Sequence, residues 1–449
     1  MDLIGSNLGR RKFLKIGSMA IVSPLLMKAY GLFSLAATKT ANAASRSRAA
    51  YNRAIDKMVE GFRQGAKKVV GWGTSRMGSP TVTAKALINY AKSSVTHNPF
   101  WLDERYAAGT KWGGLIGFPM FSPGGSNPSY STFTPGPYQT PECGYESQLW
   151  PGENWEFLRP IRVGDTLRAW YRTPQLTEQT YKDRGDTRGF LNLECDCDVV
   201  NQRDEIVGIY KNYTVRIFYP DGAPGTRYKL DRYGFTQEEI VYLDRLARQE
   251  KIRGAEIRYW EDVNVGDMLD PVVIGPTNIA DIYDRSTEGD PEFAMEGRGG
   301  GRDPNEPLNK LLEKEGVLGN EYMEYEGYYY KSAGRHADDI AAWEQNEPAA
   351  FLWGVYSLHP QLRCLTNWIG DDAFVRKFSW RHIMRTVIGD ASYSMGKVTN
   401  KRRENGEYLV DIALWQQDMR GFIVDAAAAT VALISKTQPY PELTREVDY

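Results

Sequence analysis

The chain reads as an α+β protein made of two related halves, and three observations carry that expectation. An apolar-faced helix pattern occurs twice, a set of alternating strand runs follows each occurrence, and a Gly-Asp turn signal opens each set of strands. In residues 83–96 (TAKALINYAKSSVT), Ala84, Leu87, Ile88 and Ala91 recur at i, i+3, i+4 and i+7, which predicts a helix with one buried face. Residues 277–290 (TNIADIYDRSTEGD) repeat the spacing at an offset of 194, aligning Thr83 with Thr277 and Thr96 with Asp290.

Farther on, residues 101–107 (WLDERYA) match residues 336–342 (HADDIAA) at an offset of 235, so the second copy carries 41 extra residues. They are expected between residues 291 and 335, where GRGGGRDP is a loop composition. Tyr322, Tyr325, Tyr328, Tyr329 and Tyr330 make the later part too aromatic for a flexible linker, and it is expected to fold back over a neighbouring surface. Each copy then runs into strands. Gly164-Asp165 opens TLRAWYRTPQLTEQTY, and Gly389-Asp390 opens ASYSMGKVTNKRR. Residues 201–204 (NQRD) and 418–421 (DMRG) are corresponding tight turns between the later strands. Residues 235–249 predict an amphipathic linking helix. The expected organisation is 1–43 export signal, 44–220 first half, 221–255 linker with a helix, 256–436 second half with the insertion 291–335, and 437–449 tail.

Composition narrows the function classes. A length of 449 residues allows two or three domains, and 42% hydrophobic with 12% aromatic residues is ample for buried cores. Lys and Arg (55) nearly balance Asp and Glu (57), so no global field draws in nucleic acid or an anionic membrane. Cys143, Cys195, Cys197 and Cys364 are too few for a disulfide scaffold and too scattered for zinc; Cys195 and Cys197 are expected to share a strand face. No GxGxxG after a strand, Walker loop, HExxH or CxxCH is present, so neither a cofactor nor a metal is expected.

The amino terminus carries Arg10-Arg11-Lys12-Phe13-Leu14-Lys15, an apolar run over residues 16–37 and Ala41-Asn42-Ala43 before Ala44. That order resembles a twin-arginine export signal and predicts a periplasmic or exported mature protein without a stable membrane span. An uncleaved anchor and retention in the cytoplasm are the alternatives.

The stretches NPFWLDERYA, GGLIGFPMF, NWEFLRPIRVGDTLRA and VVNQRDEIV resemble the first domain of the MaoC-like acyl dehydratases. GRHADDIAAWEQNEP, LTNWIGDD and the DMRG turn are similar to the second domain of the same proteins, which include the (R)-specific enoyl-CoA hydratase-like members. The resemblance covers about residues 80–435 apart from the insertion. It implies a double hotdog, in which each half wraps an antiparallel sheet around a central helix, and a hydratase or dehydratase acting on hydroxyacyl or enoyl thioesters. It also implies an Asp and a His in a D-x-N-P-x-H pattern at the end of that helix, with one half active and the other shaping the acyl tunnel.

Transferred residue by residue, the first half has Thr96 at the Asp position and Trp101 at the His position, so the resemblance implies an inactive half. In the second half His336 takes the His position, and helix register puts Asp290 at the Asp position; direct counting back from His336 lands on Lys331 instead. Removing water from a 3-hydroxyacyl compound needs a base for the α-proton, an acid for the departing hydroxyl and donors at the carbonyl oxygen. Gly354 is matched to the family glycine that follows the active His, as Gly117 follows Trp101, and is the expected oxyanion donor. His97, His359 and His382 read as structural. The leading expectation is a hydro-lyase for a small, bulky, apolar or aromatic acyl-type substrate. A non-catalytic periplasmic binding or partner protein is the alternative, and a homo-oligomer or paired hotdog subunit is the expected assembly.

Overall fold

The computed structural model describes residues 48–66, 70–73, 81–121, 143–182, 186–220, 230, 232–278, 322–325, 328–331, 336, 339, 342, 347–352 and 354–437. The export signal, Asp290, most of the insertion and the tail beyond Thr437 lie outside the described residues, as does the predicted helix over 277–290 beyond Asn278.

In chain order the helices are α1 (Arg48–Ala66), α2 (Ala84–Ser93), α3 (Pro99–Leu102), α4 (Glu104–Ala108), α5 (Gln237–Arg248) and α6 (Gly354–Ile369). The strands of the first half are β1 (Gly71–Gly73), β2 (Tyr145–Phe157), β3 (Arg168–Tyr171), β4 (Gln175–Tyr181), β5 (Thr187–Val200) and β6 (Ile206–Tyr219). Those of the second are β7 (Val272–Ile274), β10 (Phe374–His382), β11 (Ser392–Glu404), β12 (Glu407–Asp418) and β13 (Ile423–Leu433). Tyr322–Tyr325 (β8) and Tyr328–Lys331 (β9) form a separate hairpin inside the tyrosine-rich insertion.

Eleven strands make one antiparallel sheet in the order β1-β3-β5-β6-β2-β10-β13-β12-β11-β7, with β4 also on β5. The order reads alike from either end: β1 matches β7, β3 matches β11, β5 matches β12, β6 matches β13 and β2 matches β10. The halves meet at β2 and β10, where Trp155 faces Phe378 and Glu153 faces Trp380. Gly152 permits this approach, since its φ is +136° and a Cβ there would lie 2.0 Å from the Trp380 carbonyl oxygen. One buried cluster runs through both halves, from Leu87 and Phe100 to Leu362 and Val431.

Local signals account for the elements. Thr83 caps α2 by accepting the Ala86 N–H at 3.0 Å, and Asn98 and Asp103 cap α3 and α4. Thr236 and Glu239 form a capping box on α5. In both halves the Asp after the turn glycine is met from the later turn. Arg203 approaches Asp165 at 3.8 Å, while Arg420 makes a two-pronged contact with Asp390. Asn201 and Asp418 each accept two backbone N–H bonds at the start of those turns.

Two features depart from the sequence reading. Helix α1, which the reading does not single out, packs Tyr51, Ile55 and Met58 against Phe190 and Phe218, and Tyr51 donates to the Phe218 carbonyl at 2.7 Å. The helix lying on the second-half sheet is α6, which begins after His336. His336 precedes this helix by 18 residues, and the predicted helix over 277–290, at whose end the family pattern puts the active pair, lies outside the described residues beyond Asn278.

Candidate active site

Backbone hydrogen bonds fix which residues of the two halves correspond. Gly117 N–H bonds to Ile161 O and Ile116 bridges Arg162; Leu352 N–H bonds to Thr386 O and Phe351 bridges Val387. The offset at this point is 235, so Trp101 and His336 occupy equivalent chain positions. By the same offset Gly117 corresponds to Leu352. The expected match of Gly117 with Gly354 is therefore two residues out of register.

Upstream, Val82 exchanges backbone bonds with Gly164 and Asp165 as Thr277 does with Gly389 and Asp390. The offset there is 195, not 194, because the turn pairs with Val82 and not with the capping Thr83. At that register Asp290 corresponds to Val95, one place from the expected Thr96. Lys331 ends strand β9.

His336 is half-buried, with Nδ1 2.9 Å from the Phe351 carbonyl oxygen and its ring edge-on to the Phe351 ring at 4.4 Å. A carbonyl oxygen only accepts, so Nδ1 carries the hydrogen, and in the neutral tautomer Nε2 is the basic nitrogen. Phe351 is held by the Arg385 guanidinium, 4.5 Å from the ring centre and bidentate to Glu347 at 2.9 and 2.8 Å. Asp339 is engaged elsewhere: it accepts from Ala350 N at 2.8 Å and from Arg232.

Gly354 is the first residue of α6, where the N–H groups of the first turn lack intrahelical acceptors. A Cβ at this position would sit 2.3 Å from the Trp150 ring and 3.5 Å from that of Trp380. Packing alone therefore demands glycine here. Trp150 belongs to the first half, so the helix start is walled by both halves, with the two indoles 5.1 Å apart.

Behind this wall lies a network that the sequence reading missed. His382 Nδ1 is 2.6 Å from Asp425 Oδ1, Ser357 Oγ donates to Asp425 Oδ2, and Ser357 and Thr386 hydroxyls are 2.8 Å apart. All four side chains are buried. Burial pushes the Asp425 carboxyl pKa up, against the pull of His382 and Ser357. One signal was available: Asp425 is the only charged residue in IVDAAAATVAL of β13, which is otherwise apolar but for Thr430. His359 is structural in the plain sense, with Nδ1 3.0 Å from the Ser93 carbonyl, joining α6 to α2.

At the corresponding place in the first half, Trp101 packs edge-on to Phe118 at 5.1 Å over an apolar cavity of about 40 Å³. Trp155, Phe157, Val199 and Gly208 line it from the first half and Phe374 from the second. Close by, Glu153 is fully buried and accepts from Tyr210 (2.8 Å), Trp155 (3.1 Å) and Asn212 (3.4 Å). Burial outweighs these donors and lifts its pKa to about 7.

Sheet order, edge-to-edge pairing and the helix on the second-half sheet define a double hotdog of MaoC-like architecture. A solved MaoC-like dehydratase superposes with a TM-score of 0.52 at 15% identity, over 82% of this chain and 98% of that one. A MaoC-like dehydratase from Phytophthora capsici (TM-score 0.42, 11% identity, 85% and 99% coverage) is also similar. So is a Mycobacterium tuberculosis protein with a double hotdog fold (0.41, 10%, 83% and 99%). Residues 68–209, all in the first half, match the family described as the FAS1-like dehydratase domain region. No curated protein sequence matches the chain.

Proposed function

We propose that the protein is a hydro-lyase that adds or removes water at a 3-hydroxyacyl or enoyl-type compound, with the reaction centred on the second half. The observation that carries this reading is the His336–Phe351 hydrogen bond, which orients the ring through Nδ1 and makes Nε2 the basic nitrogen whenever the imidazole is neutral. In the dehydration direction Nε2 takes the α-proton, negative charge grows on the acyl oxygen, and the β-hydroxyl leaves as water with a proton supplied by the partner carboxyl group, after which that carboxylate is reprotonated and Nε2 gives up its proton. Backbone N–H groups at the start of α6, Gly354 foremost, are the donors for that oxygen. Asp290 is the proposed partner carboxylate, by resemblance to the family pattern.

The Trp150 and Trp380 wall at the start of α6 supports a substrate with an apolar portion. The twin-arginine-like start supports export, which favours a substrate activated by something other than coenzyme A. Cell fractionation with measurement of the processed length tests export; full-length protein retained in the cytoplasm overturns it. The first half, with Trp101 where the second has His336, supports only binding.

Turnover of 3-hydroxyacyl and enoyl N-acetylcysteamine thioesters by wild type and His336→Ala tests the activity. Loss of a positioned acid–base group is expected to lower kcat about 10²- to 10⁴-fold. Equal background rates in the two proteins sink the enzyme reading.

A further inference from the structure

Strand register places four side chains of the second half side by side on the face covered by α6. They are Ser394 on β11, Gln416 on β12, Asp425 on β13 and His382 on β10. All are buried, and the helix faces them, since Ser357 of α6 bonds to Asp425. One turn farther along α6, Gln361 is 0% exposed. Both amide atoms of Gln361, the Ser394 hydroxyl and Gln416 Oε1 have no hydrogen-bond partner among the described residues. Gln416 Nε2 is held by Ser392 at 2.7 Å, which fixes its Oε1.

The first half shows what the same ladder holds when stability alone is served. Ala169, Val199, Gly208 and Phe157 are the equivalents of Ser394, Gln416, Asp425 and His382. A buried amide without a partner is unfavourable, so four unmatched polar atoms in one layer point to a ligand that matches them. The layer adjoins the reacting centre. Thr386, whose hydroxyl meets Ser357, is the residue whose carbonyl anchors Leu352, next to the Phe351 that holds His336.

We propose that this layer between α6 and strands β10–β13 binds a hydroxyl-bearing stretch of the substrate's acyl portion. Gln361, Gln416 and Ser394 would hydrogen-bond neutral hydroxyl or carbonyl groups beyond the reacting carbons. The preferred partner groups are neutral because the carboxylate of the layer, Asp425, is already matched by His382 and Ser357. That the ligand is an acyl compound rests on the hydro-lyase reading; that it is polar at this end does not.

Two 2-enoyl N-acetylcysteamine thioesters of equal chain length, one ending in a methyl group and the other in a hydroxyl, separate the two claims. Calorimetry on the full chain reads the present one and hydration rates read the other. The hydroxylated compound is expected to bind about tenfold tighter or better, the worth of one good hydrogen bond. Gln361→Leu, Gln416→Val and Ser394→Ala together should bring the ratio to about one. Each single change removes part of it, should the triple variant fail to fold. Equal or tighter binding of the methyl compound, binding of neither, or a ratio untouched by the substitutions in folded protein overturns the proposal. A calorimetric preference without turnover retains the polar layer and removes the hydro-lyase reading. Turnover without preference does the reverse.

Discussion

Across equivalent strands the two halves carry opposite chemistry on one scaffold. In the first, the row is Ala169, Val199, Gly208 and Phe157, and the last three line a small apolar cavity beneath Trp101. In the second, Ser394, Gln416, Asp425 and His382 form a polar layer beside the helix that follows His336. Polarity is also traded in the neighbouring row, where Glu153, Tyr210 and Asn212 replace Phe378, Ala427 and Ala429. The sheet thus tolerates either chemistry at a given rung, and one unmatched atom, Asn212 Oδ1 among the described residues, can be borne in such a row. What sets the second half apart is that four such atoms, on Gln361, Ser394 and Gln416, gather in one layer.

The sharpest way to break this contrast is to unpair the second half. Asp425→Ala strands His382 in the interior and should lower unfolding free energy by about 3–5 kcal/mol, read by urea denaturation. Adding His382→Phe, the first-half residue, should restore much of the loss. A double variant as unstable as the single one would show that the pair is not the source of the cost.

Glu153 offers the matching test in the first half. Its pKa rises from 4.5 to about 7 on folding, so between those values the native state holds the proton that the unfolded chain has released. Its favourable contribution is complete below about pH 4.5 and is lost as pH rises toward 7, a change on the order of 3 kcal/mol. Stability measured across that window should fall less steeply with rising pH in Glu153→Gln than in wild type. Identical slopes would remove Glu153 as the titrating group.

The smallest effect is expected where the halves touch at α6. Gly354→Ala drives a methyl into the Trp150 ring and should cost about 1–3 kcal/mol by overpacking. Trp150→Leu in the same chain should relieve it. If stability does not recover, contact with the Trp150 ring is not the source of the cost.

The duplicated architecture was legible because its signals are local. Helix spacing around Leu87, the capping Thr83, the glycines before Asp165 and Asp390, and the turns at Asn201 and Asp418 all act within a few residues. Helix α6 escaped notice although Leu358, Leu362, Leu365 and Ile369 recur at helical spacing, because Pro360 interrupts the pattern. The motif singles out His336 in the sequence, but the hydrogen bond from its Nδ1 to the Phe351 carbonyl depends on how the chain enters α6. The polar layer was not legible at all. In an alternating strand, Ser394 and Gln416 read as solvent-facing, and only the helix laid over them turns that face inward.

The shared β2–β10 ladder has one more consequence. Two identical subunits joined this way would receive every substitution twice, once on each side of the axis. Carrying both copies on a single chain removes that constraint. A tryptophan can stand for a histidine on one side while the histidine persists on the other, and each side still supplies a wall, Phe374 in one direction and Trp150 in the other, to its neighbour's interior.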